Sequence, residues 1–303
     1  MILYSSPRFA EHVTPPGHPE RPERAEVFDA VAEAFARRGV VRSPRAATRD
    51  ELARVHSTSY LDRIAATAGR ATMLDPDTFT SPESHEIALL AAGAAVDAAR
   101  HAYATGEPAL ALVRPPGHHA EASRAMGFCL FNNIAVAAAA LRADGVARVA
   151  IVDIDVHHGN GTQAAFYADP TVLFVSSHQL PYYPGTGAAN EIGADAGEGF
   201  TLNVPMPAGS GDTDFEAAYG TIVVPAIERF EPDVLLISAG FDGHELDPLG
   251  GLRLTTSGYT GLLARLDDVA SRLCGRRIAL VTEGGYHLAA LGECLTSAIR
   301  VLD

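Results

Sequence analysis

The chain has 303 residues, a formal net charge of −14 and 47% hydrophobic residues. All 23 of its positively charged side chains are Arg, and acidic residues outnumber them. This balance argues against a nucleic-acid partner, which would need basic patches. A chain of this length can bury a large core, and no apolar stretch reaches the length of a membrane span. We therefore expect a soluble globular protein without membrane association.

The three cysteines are odd in number and lack the CxxC spacing typical of metal-binding or redox pairs. A disulfide framework is therefore not expected, and a reducing compartment fits better. The first residues also lack the basic segment and apolar core of a signal peptide. These features predict a cytoplasmic protein.

In the first third of the chain, prolines and small polar residues indicate where helices begin and end. Pro22 can occupy the first turn of a helix that runs to Arg38. Residues 75–82 are predicted to form a loop, with Ser81 as the N-cap of an Ala-rich helix that extends to Ala104.

From residue 109 onward, short apolar runs alternate with helical stretches. This alternation indicates a mostly parallel central sheet with helices on both faces, a three-layer α/β/α fold. No linker or internal repeat is visible, so residues 1–303 are predicted to form a single domain. The apolar runs are Ala109–Val113, Val149–Val152, Thr171–Val175, Val234–Ile237 and Ile278–Val281.

One apolar run, Val149–Val152, becomes polar at its end without losing its period. In an extended chain, residues two apart point the same way, so Asp153, Asp155 and His157 share one face. Two carboxylates and an imidazole at the end of a buried strand are costly unless a cation binds there. Zinc takes oxygen and nitrogen ligands of this kind. The alternative is an ordinary solvated strand end.

Polar residues follow each of the five apolar runs. In open α/β sheets, sites form beyond the carboxyl ends of the strands, so these five tails should converge. A catalytic zinc usually has three protein ligands and one open position, and Asp155, His157 and Asp242 are the best three. Asp153 lies deeper along its strand and is expected to orient a neighbouring side chain.

The tandem pair His118–His119 and the phenol of Tyr286 suit catalytic roles. Two imidazoles on a loop stiffened by Pro115 and Pro116 suit a general base and a general acid near neutral pH. Tyr286 follows two glycines, and its hydroxyl can donate to the oxygen that becomes negative in a tetrahedral intermediate. The alternatives are a pair of surface histidines and a core tyrosine.

Seven motifs follow one another along the chain: HPERPER (18–24), RPPGHH (114–119), GFCLFNN (127–133), DIDVHHGNGT (153–162), YPGTG (183–187), SAGFD (238–242) and EGGY (283–286). In this order, they resemble the histone deacetylase family of the arginase/deacetylase fold. The resemblance covers most of the chain and implies zinc-dependent hydrolysis of an acylated amine to an amine and a carboxylate. The zinc ligands would be Asp155, His157 and Asp242.

The same resemblance implies the catalytic roles. His118 would pair with Asp153, and His119 with Asn160, as base and acid for the attacking water. Tyr286 would polarise the acyl carbonyl. These roles agree with those that the residue types suggested on their own.

The resemblance also implies a substrate channel and structural potassium. Phe128 and Tyr183 would wall a narrow apolar channel for an acyl-lysine stem or an equivalent alkyl amine, and Gly127 would offer its backbone carbonyl to the scissile N–H. One potassium ion would be bound by Asp153, Asp155, His157, Ser176 and Ser177. A second would involve Phe166, Asp169, Val172 and Phe200.

Several positions refine the resemblance. Asn160 and the segments 75–78 and 247–251 resemble class II members and their bacterial relatives. Polyamine-specific members carry a Glu at the substrate-binding position of Leu249, so Leu249 weakens the acetylpolyamine hypothesis without removing it. The substrate stays open between acetyl-lysine in a protein or peptide and a small acylated amine. Homo-oligomer formation is open as well.

Two other hypotheses are weaker. A binuclear manganese hydrolase of the arginase type would need further Asp residues where Gly159 and His244 stand. A non-catalytic protein that captures acylated amines would need neither the His pair nor Tyr286. Arg24 is expected either to line a product-release channel, as a nearby Arg does in relatives, or to form an ion pair at a helix start.

Overall fold

All 303 residues are described by the computed structural model, which contains ten strands. Eight of them form one sheet in which every neighbouring pair is parallel. The strands are β1 (Ile2–Tyr4), β2 (Val40–Arg42), β3 (Thr72–Asp75), β4 (Thr78–Thr80), β5 (Ala109–Ala111), β6 (Val149–Asp153), β7 (Val172–Gln179), β8 (Thr201–Met206), β9 (Val234–Ala239) and β10 (Ile278–Thr282). The order in the sheet is β2-β1-β5-β10-β9-β6-β7-β8.

Helices cover both faces of this sheet. Two apolar clusters of 42 buried residues each lie on its opposite faces, so the core extends on both sides of the sheet. None of the helices combines the length and the apolar character that crossing a membrane requires. The α-helices are α1 (Glu23–Ala36), α2 (Arg49–Leu52), α3 (Thr58–Ala65), α4 (Ser84–Thr105), α5 (Asn133–Ala143), α6 (Asn160–Phe166), α7 (Asp212–Ala218), α8 (Val224–Phe230), α9 (Thr256–Cys274) and α10 (Leu288–Leu302).

The central strands are continuously apolar because parallel strands between two helical layers are buried on both sides. Every residue of β6, β9 and β10 is buried. β6 pairs with β9 in a register that sets Asp153 opposite Ser238. The prediction of a three-layer α/β/α fold with a parallel central sheet is therefore confirmed.

The prediction of a loop over residues 75–82, with Ser81 as a helix cap, is wrong. β3 and β4 pair antiparallel as a hairpin that ends at Thr80. The Ser81 hydroxyl instead donates to the Glu11 carbonyl at 3.2 Å and accepts from the Val13 amide at 3.1 Å. α4 begins at Ser84 without a side-chain cap. The loop prediction failed because the strands are only three or four residues long and are rich in Thr and Asp, which are typical of turns.

The predicted end of β7 at Val175 is also wrong. β7 continues to Gln179 because it pairs with β8, a strand that the sequence pattern did not predict. Ser176, Ser177 and His178 therefore lie inside a buried strand and not in a loop after it. The sequence analysis also missed β2 and the last helix, α10.

Gly93 allows the close packing of α4 against the segment that precedes α2. A Cβ atom at this position would lie 1.9 Å from the Arg45 carbonyl oxygen, which is part of the backbone and cannot rotate away. We expect Gly93→Ala to lower the free energy of unfolding by about 1–3 kcal/mol, the usual cost of overpacking. Chemical denaturation measures this value.

Gly261 provides the matched control because it also lies within a helix, α9, but has open space around its Cβ position. Gly261→Ala should raise the free energy of unfolding by about 0.5–1 kcal/mol, since Ala is the better helix former. Equal effects of the two substitutions would contradict the packing argument.

Candidate metal centre and active site

The site lies at the carboxyl edge of four neighbouring strands, β5, β10, β9 and β6. Parallel strands bring the residues that follow their ends to one edge of the sheet. The loop after β5 carries His118 and His119, and the residues after β6 include Asp155 and His157. The loops after β9 and β10 complete the site with Asp242 and Tyr286. The predicted convergence of these tails is confirmed, except that the tail of β7 belongs to the strand.

Asp155, His157 and Asp242 form a compact group of metal-ligand type. One donor atom from each lies within 4.8 Å of the others. His157 Nδ1 is 3.1 Å from Asp155 Oδ1 and 3.1 Å from Asp242 Oδ2. Both carboxylates are buried, and His157 is nearly so. The three side chains therefore converge on one small volume.

Backbone amides hold the two carboxylates in place. Val156 N donates to Asp242 Oδ1 at 2.8 Å, and Gly284 N donates to Asp155 Oδ2 at 2.9 Å. The Gly284 contact joins the loop after β10 to the residues after β6. Such contacts orient metal ligands before an ion binds.

The donor set fits a zinc ion. Two carboxylate oxygens and one imidazole nitrogen are ligands that zinc accepts, and three protein ligands leave a position open. Burial, followed by repulsion from Asp155, raises the pKa of Asp242 to about 7. Burial opposes a proton on His157, but hydrogen bonds to Asp155 and Asp242 outweigh it and raise the pKa of His157 to about 10. Clustered carboxylates thus attract positive charge, and a divalent cation supplies it.

Gly159 and His244 stand at the two positions where a two-metal site would need further Asp residues. Neither residue supplies a ligand to a second ion. A Cβ atom on Gly159 would lie 2.3 Å from Asp153 Oδ2, so a longer side chain has no space there. His244 Nε2 lies 3.2 Å from Thr256 Oγ1 at the start of α9, and its Nδ1 accepts from the Leu246 amide at 3.2 Å. Neither residue belongs to the metal-ligand group.

His118 pairs with Asp153, as the family resemblance implied. His118 Nδ1 lies 2.9 Å from Asp153 Oδ2, and both side chains are buried. Burial alone lowers the pKa of His118, but the carboxylates of Asp153 and Asp155 oppose it and hold the pKa well above its usual value. Glu283 Oε2 accepts hydrogen bonds from Gly117 N at 2.6 Å and from His118 N at 3.1 Å, which fixes the loop.

His119 has a neutral partner. Its Nδ1 lies 2.8 Å from Asn160 Oδ1, and Asn160 Nδ2 donates to Glu121 Oε1 at 2.8 Å. Burial, then positive charge on His118 and His157, hold the pKa of His119 well below its usual value. Its ring is 4.0 Å from that of His118 between centroids. The tandem histidines are therefore buried neighbours with opposite pKa shifts, not a surface pair.

The Tyr286 hydroxyl is free for a ligand. It makes no hydrogen bond within the protein and is not among the fully buried unpaired polar atoms. Asp247 Oδ2 accepts from Tyr286 N at 2.6 Å and from His287 N at 3.0 Å, which anchors the backbone at this point. The Arg24 guanidinium lies 5.1 Å from the centroid of the Tyr286 ring.

Arg24 is fully buried and forms the ion pair that was one of its two predicted roles. Its Nη1 donates to Glu20 Oε1 at 2.9 Å, and its Nε donates to the Gly285 carbonyl at 2.8 Å. Arg114 shares the same carboxylate, with Nη2 2.7 Å from Glu20 Oε2. The role of Arg24 in product release stays a prediction.

The predicted channel residues lie beside the site. The Phe128 ring makes an edge contact with Tyr286 at 5.8 Å between centroids, and Tyr183 makes one with His119 at 5.2 Å. The Gly127 carbonyl accepts a hydrogen bond from the Cys129 thiol at 3.2 Å. The Leu249 carbonyl accepts from the Tyr182 hydroxyl at 2.9 Å, which joins the two loops that border the site.

The backbone of Phe128 has a left-handed conformation, with φ of 68°, that needs support in a residue with a side chain. Phe128 N donates to Thr78 Oγ1 at 3.1 Å, and Gly127 N donates to Asp77 Oδ1 at 3.2 Å. The His18 ring packs edge-on against Phe128 at 4.7 Å. The β3–β4 hairpin therefore holds Phe128, a predicted wall of the channel, beside Tyr286.

The predicted potassium ligands lie in two groups. In the first group, Ser177 Oγ donates to the Asp153 carbonyl at 3.3 Å, and Ser176 Oγ lies 2.9 Å from His178 Nδ1. In the second, one turn joins Phe166, Asp169 and Val172, since Asp169 N donates to the Phe166 carbonyl at 3.0 Å. The Phe200 carbonyl accepts from Phe174 N at 2.9 Å. Potassium binding at both groups stays a prediction.

Four contributions to the site were missed in the sequence. Asp247 and Thr78 lie in segments that were noted only as subfamily markers, and Glu121 follows the tandem histidines by two residues. Tyr182 stacks on the metal-ligand group, with its ring 5.4 Å from that of His157. Its neighbour Tyr183 was predicted as a channel residue because it begins the YPGTG motif, whereas Tyr182 belongs to no motif.

Comparison with known proteins agrees with this geometry. The model of the histone deacetylase domain matches residues 18–302. "Histone deacetylase 10, chloroplastic" of Oryza sativa subsp. japonica is 44% identical over 84% of this chain and 60% of its own length. "Histone deacetylase 15" of Arabidopsis thaliana is 42% identical over 94% of this chain and 52% of its own length. The chain thus spans little more than half the length of these plant relatives.

A bacterial relative and a solved structure extend the likeness. "Histone deacetylase-like amidohydrolase" of Pseudomonas aeruginosa is 42% identical over 96% of this chain and 79% of its own length. The crystal structure of the HDA15 HD domain superposes with a TM-score of 0.95 at 38% identity, and covers 100% of this chain and 90% of that one. With a parallel sheet and an aspartate–histidine–aspartate group in place, the chain belongs to the histone deacetylase family.

Proposed function

We propose that the protein is a zinc-dependent amidohydrolase that removes an acetyl or related acyl group from an N-acylated amine such as acetyl-lysine. The observation that carries this proposal is the juxtaposition of a three-ligand metal group with two histidines of opposite pKa shift and a tyrosine hydroxyl that lacks a protein partner. Family membership supports the same reaction class.

Asp155, His157 and Asp242 would hold the zinc ion. When bound, the ion supplies Lewis-acid chemistry, which polarises the acyl carbonyl and makes water a stronger nucleophile at neutral pH. The remaining steps belong to the side chains around it. A single metal ion fits better than two, since Gly159 and His244 offer no carboxylate to a second ion.

His119 is the general base in this proposal. Its pKa is lowered, so the ring is neutral at pH 7, and its Nδ1 faces the Asn160 amide oxygen. Nδ1 therefore carries the ring proton, and Nε2 is free to take a proton from the attacking water. A positioned base of this kind contributes about 10²–10⁴-fold to the rate.

His118 and Tyr286 complete the reaction. The carboxylate of Asp153 favours the protonated form of His118, which can stabilise negative charge and supply a proton to the leaving amine. The Tyr286 hydroxyl donates to the acyl oxygen as it becomes negative. Phe128 and Tyr183 flank the site and would enclose the alkyl stem of the amine, while the Gly127 carbonyl would accept from the scissile N–H.

A panel of acyl-lysine peptides and acetylated polyamines, assayed with zinc-loaded protein, tests this function. Acetyl-lysine peptide should be hydrolysed, with one acetate released for each free amine. The uncharged Leu249 side chain cannot pair with a distant ammonium group, so acetylated polyamines should be poorer substrates. Tight binding without turnover of any amide would instead favour a non-catalytic binder, and turnover confined to polyamines would favour the small-molecule alternative.

The contact from the β3–β4 hairpin to the channel wall gives a separate prediction. Thr78→Val keeps the shape of the side chain but removes the acceptor for Phe128 N. The wall should loosen, and KM should rise roughly five- to tenfold with a smaller change in kcat, the scale expected for one buried hydrogen bond. Steady-state kinetics on the best acyl peptide separate the two constants.

Thr78→Ser is the matched control because it retains the hydroxyl that Phe128 N contacts. It should behave like the wild type. A loss in Thr78→Ser with none in Thr78→Val would show that the methyl group, not the hydrogen bond, supports the wall.

A further inference from the structure

A chain of three side chains leads from Glu121, which is half-buried, through buried Asn160 to buried His119. We infer that Glu121 is a positioning residue that fixes the ring tautomer of His119 by orienting the Asn160 amide. The inference rests on the proposed function, because the role of His119 as general base is part of that proposal. The hydrogen bonds of Glu121 go to Asn160, His56 and Arg124, and none goes to a metal-ligand or channel residue.

The two ends of the Asn160 amide have different partners. Its Oδ1 lies 2.8 Å from His119 Nδ1, and its Nδ2 lies 2.8 Å from Glu121 Oε1. Nδ2 is also 3.4 Å from the His119 carbonyl and 3.5 Å from Met126 Sδ, both acceptors. Asn160 is buried at the start of α6.

Only one orientation of the amide satisfies these partners. A carboxylate can only accept hydrogen bonds, whereas an amide NH₂ can only donate them. Glu121 therefore holds the NH₂ group on its own side and turns Oδ1 towards His119. An acceptor at that place requires the proton on Nδ1, which leaves Nε2 unprotonated and able to act as the base.

The backbone of Glu121 is fixed independently of its side chain. Glu121 N donates to the Arg124 carbonyl at 2.9 Å, and the Glu121 carbonyl lies 3.0 Å from His56 Nδ1. The Arg124 guanidinium pairs with Asp75 at 3.0 Å. A substitution of the Glu121 side chain should therefore leave the loop folded.

Glu121→Gln keeps the shape of the side chain but weakens the preference for one amide orientation, since only the longer contacts to the His119 carbonyl and Met126 Sδ still require a donor. Gln can donate as well as accept, so the Asn160 amide can turn over and present its NH₂ group to His119 Nδ1. His119 would then carry its proton on Nε2 and lose its basic site. We expect kcat to fall about tenfold with KM nearly unchanged, since one orienting hydrogen bond to a charged group is lost.

In a protein that also carries Asn160→Asp, Glu121→Gln is expected to change kcat in the opposite direction. Asn160→Asp places a second carboxylate against Glu121, and the two negative charges would repel each other. In that background Glu121→Gln removes the repulsion and supplies a donor, so it should raise kcat. A residue that merely supports the fold would not change the sign of its effect with its neighbour.

The test is a kinetic cycle of the wild type, Glu121→Gln, Asn160→Asp and the double variant, on zinc-loaded protein with an acetyl-lysine peptide. A fall in kcat in the wild-type background and a rise in the Asn160→Asp background support the inference. The same direction in both backgrounds overturns it. His119→Ala, expected to lower kcat at least about a hundredfold, tests the proposed function in the same series.

A second readout does not need turnover. Long-range ¹H–¹⁵N correlation spectra of protein labelled at histidine report the tautomer of each ring, and the signals lost in His119→Ala identify His119. The wild type should show the Nδ1–H form, and Glu121→Gln should show Nε2–H. An unchanged tautomer overturns the inference even in a protein without amidohydrolase activity, so the two proposals can fail separately.

Discussion

Asp242→Ala is expected to abolish both zinc retention and turnover. Asp242 would supply one of the three ligands of the proposed zinc site, and its carboxylate is buried between His157 and the Val156 amide. Loss of an outer partner of a metal ligand typically costs 10- to 100-fold in affinity, so loss of a ligand should cost more than about 100-fold. Elemental analysis after dialysis, together with the acetyl-lysine assay, measures both effects.

The matched control for this change is Asp62→Ala. Asp62 is exposed on α3 and pairs only with the surface residue Arg49. This variant should keep zinc and activity at wild-type levels. Full zinc retention in Asp242→Ala would show that Asp242 is not a zinc ligand.

Tyr286→Phe is expected to lower kcat at least about a hundredfold, the usual scale for the loss of one oxyanion donor. The ring and its contacts with Phe128 and Arg24 remain, so the backbone and the metal group should be unaffected. Zinc content should therefore stay unchanged. Steady-state kinetics on the best substrate measure the loss, and elemental analysis checks the metal.

Tyr103→Phe is the corresponding control. Tyr103 lies at the far end of α4, where its ring packs against Arg277, and its hydroxyl forms no hydrogen bond that the catalytic argument uses. The rate should not change. A near-wild-type rate for Tyr286→Phe would show that another group stabilises the acyl oxygen.

The two variants separate two parts of the site. Asp242→Ala should remove the ion and with it all turnover, whereas Tyr286→Phe should leave a loaded but slow enzyme. Reduced zinc in both would mean that Tyr286 acts through the structure of the metal group.

The sequence predicted the metal group because its signal is local. Asp155 and His157 are two residues apart in a bend just beyond the end of β6, and each candidate follows an apolar run that is recognisable as a buried strand. The parallel pairing of β6 with β9 then brings Asp242 close to Asp155 and His157, because the two strands end at the same edge of the sheet. The pairs of His118 with Asp153 and of His119 with Asn160 were implied by the family resemblance, and the contacts are present.

The supporting contacts could not be predicted in the same way. Thr78 and Phe128 are 50 residues apart, and Asp247 and Tyr286 are 39 apart. In both cases one partner is a backbone amide, which leaves no mark on the sequence. The β3–β4 hairpin was missed for a related reason, because its Thr and Asp residues are as typical of a loop as of a short strand.

Zinc titration of metal-free protein, with acetyl-lysine turnover as the readout, tests the central claim most directly. A protein with one group of three ligands should gain activity linearly and reach its maximum at one zinc ion per chain. Maximal activity only at two ions per chain, or full turnover in the metal-free protein, would contradict a single-zinc amidohydrolase.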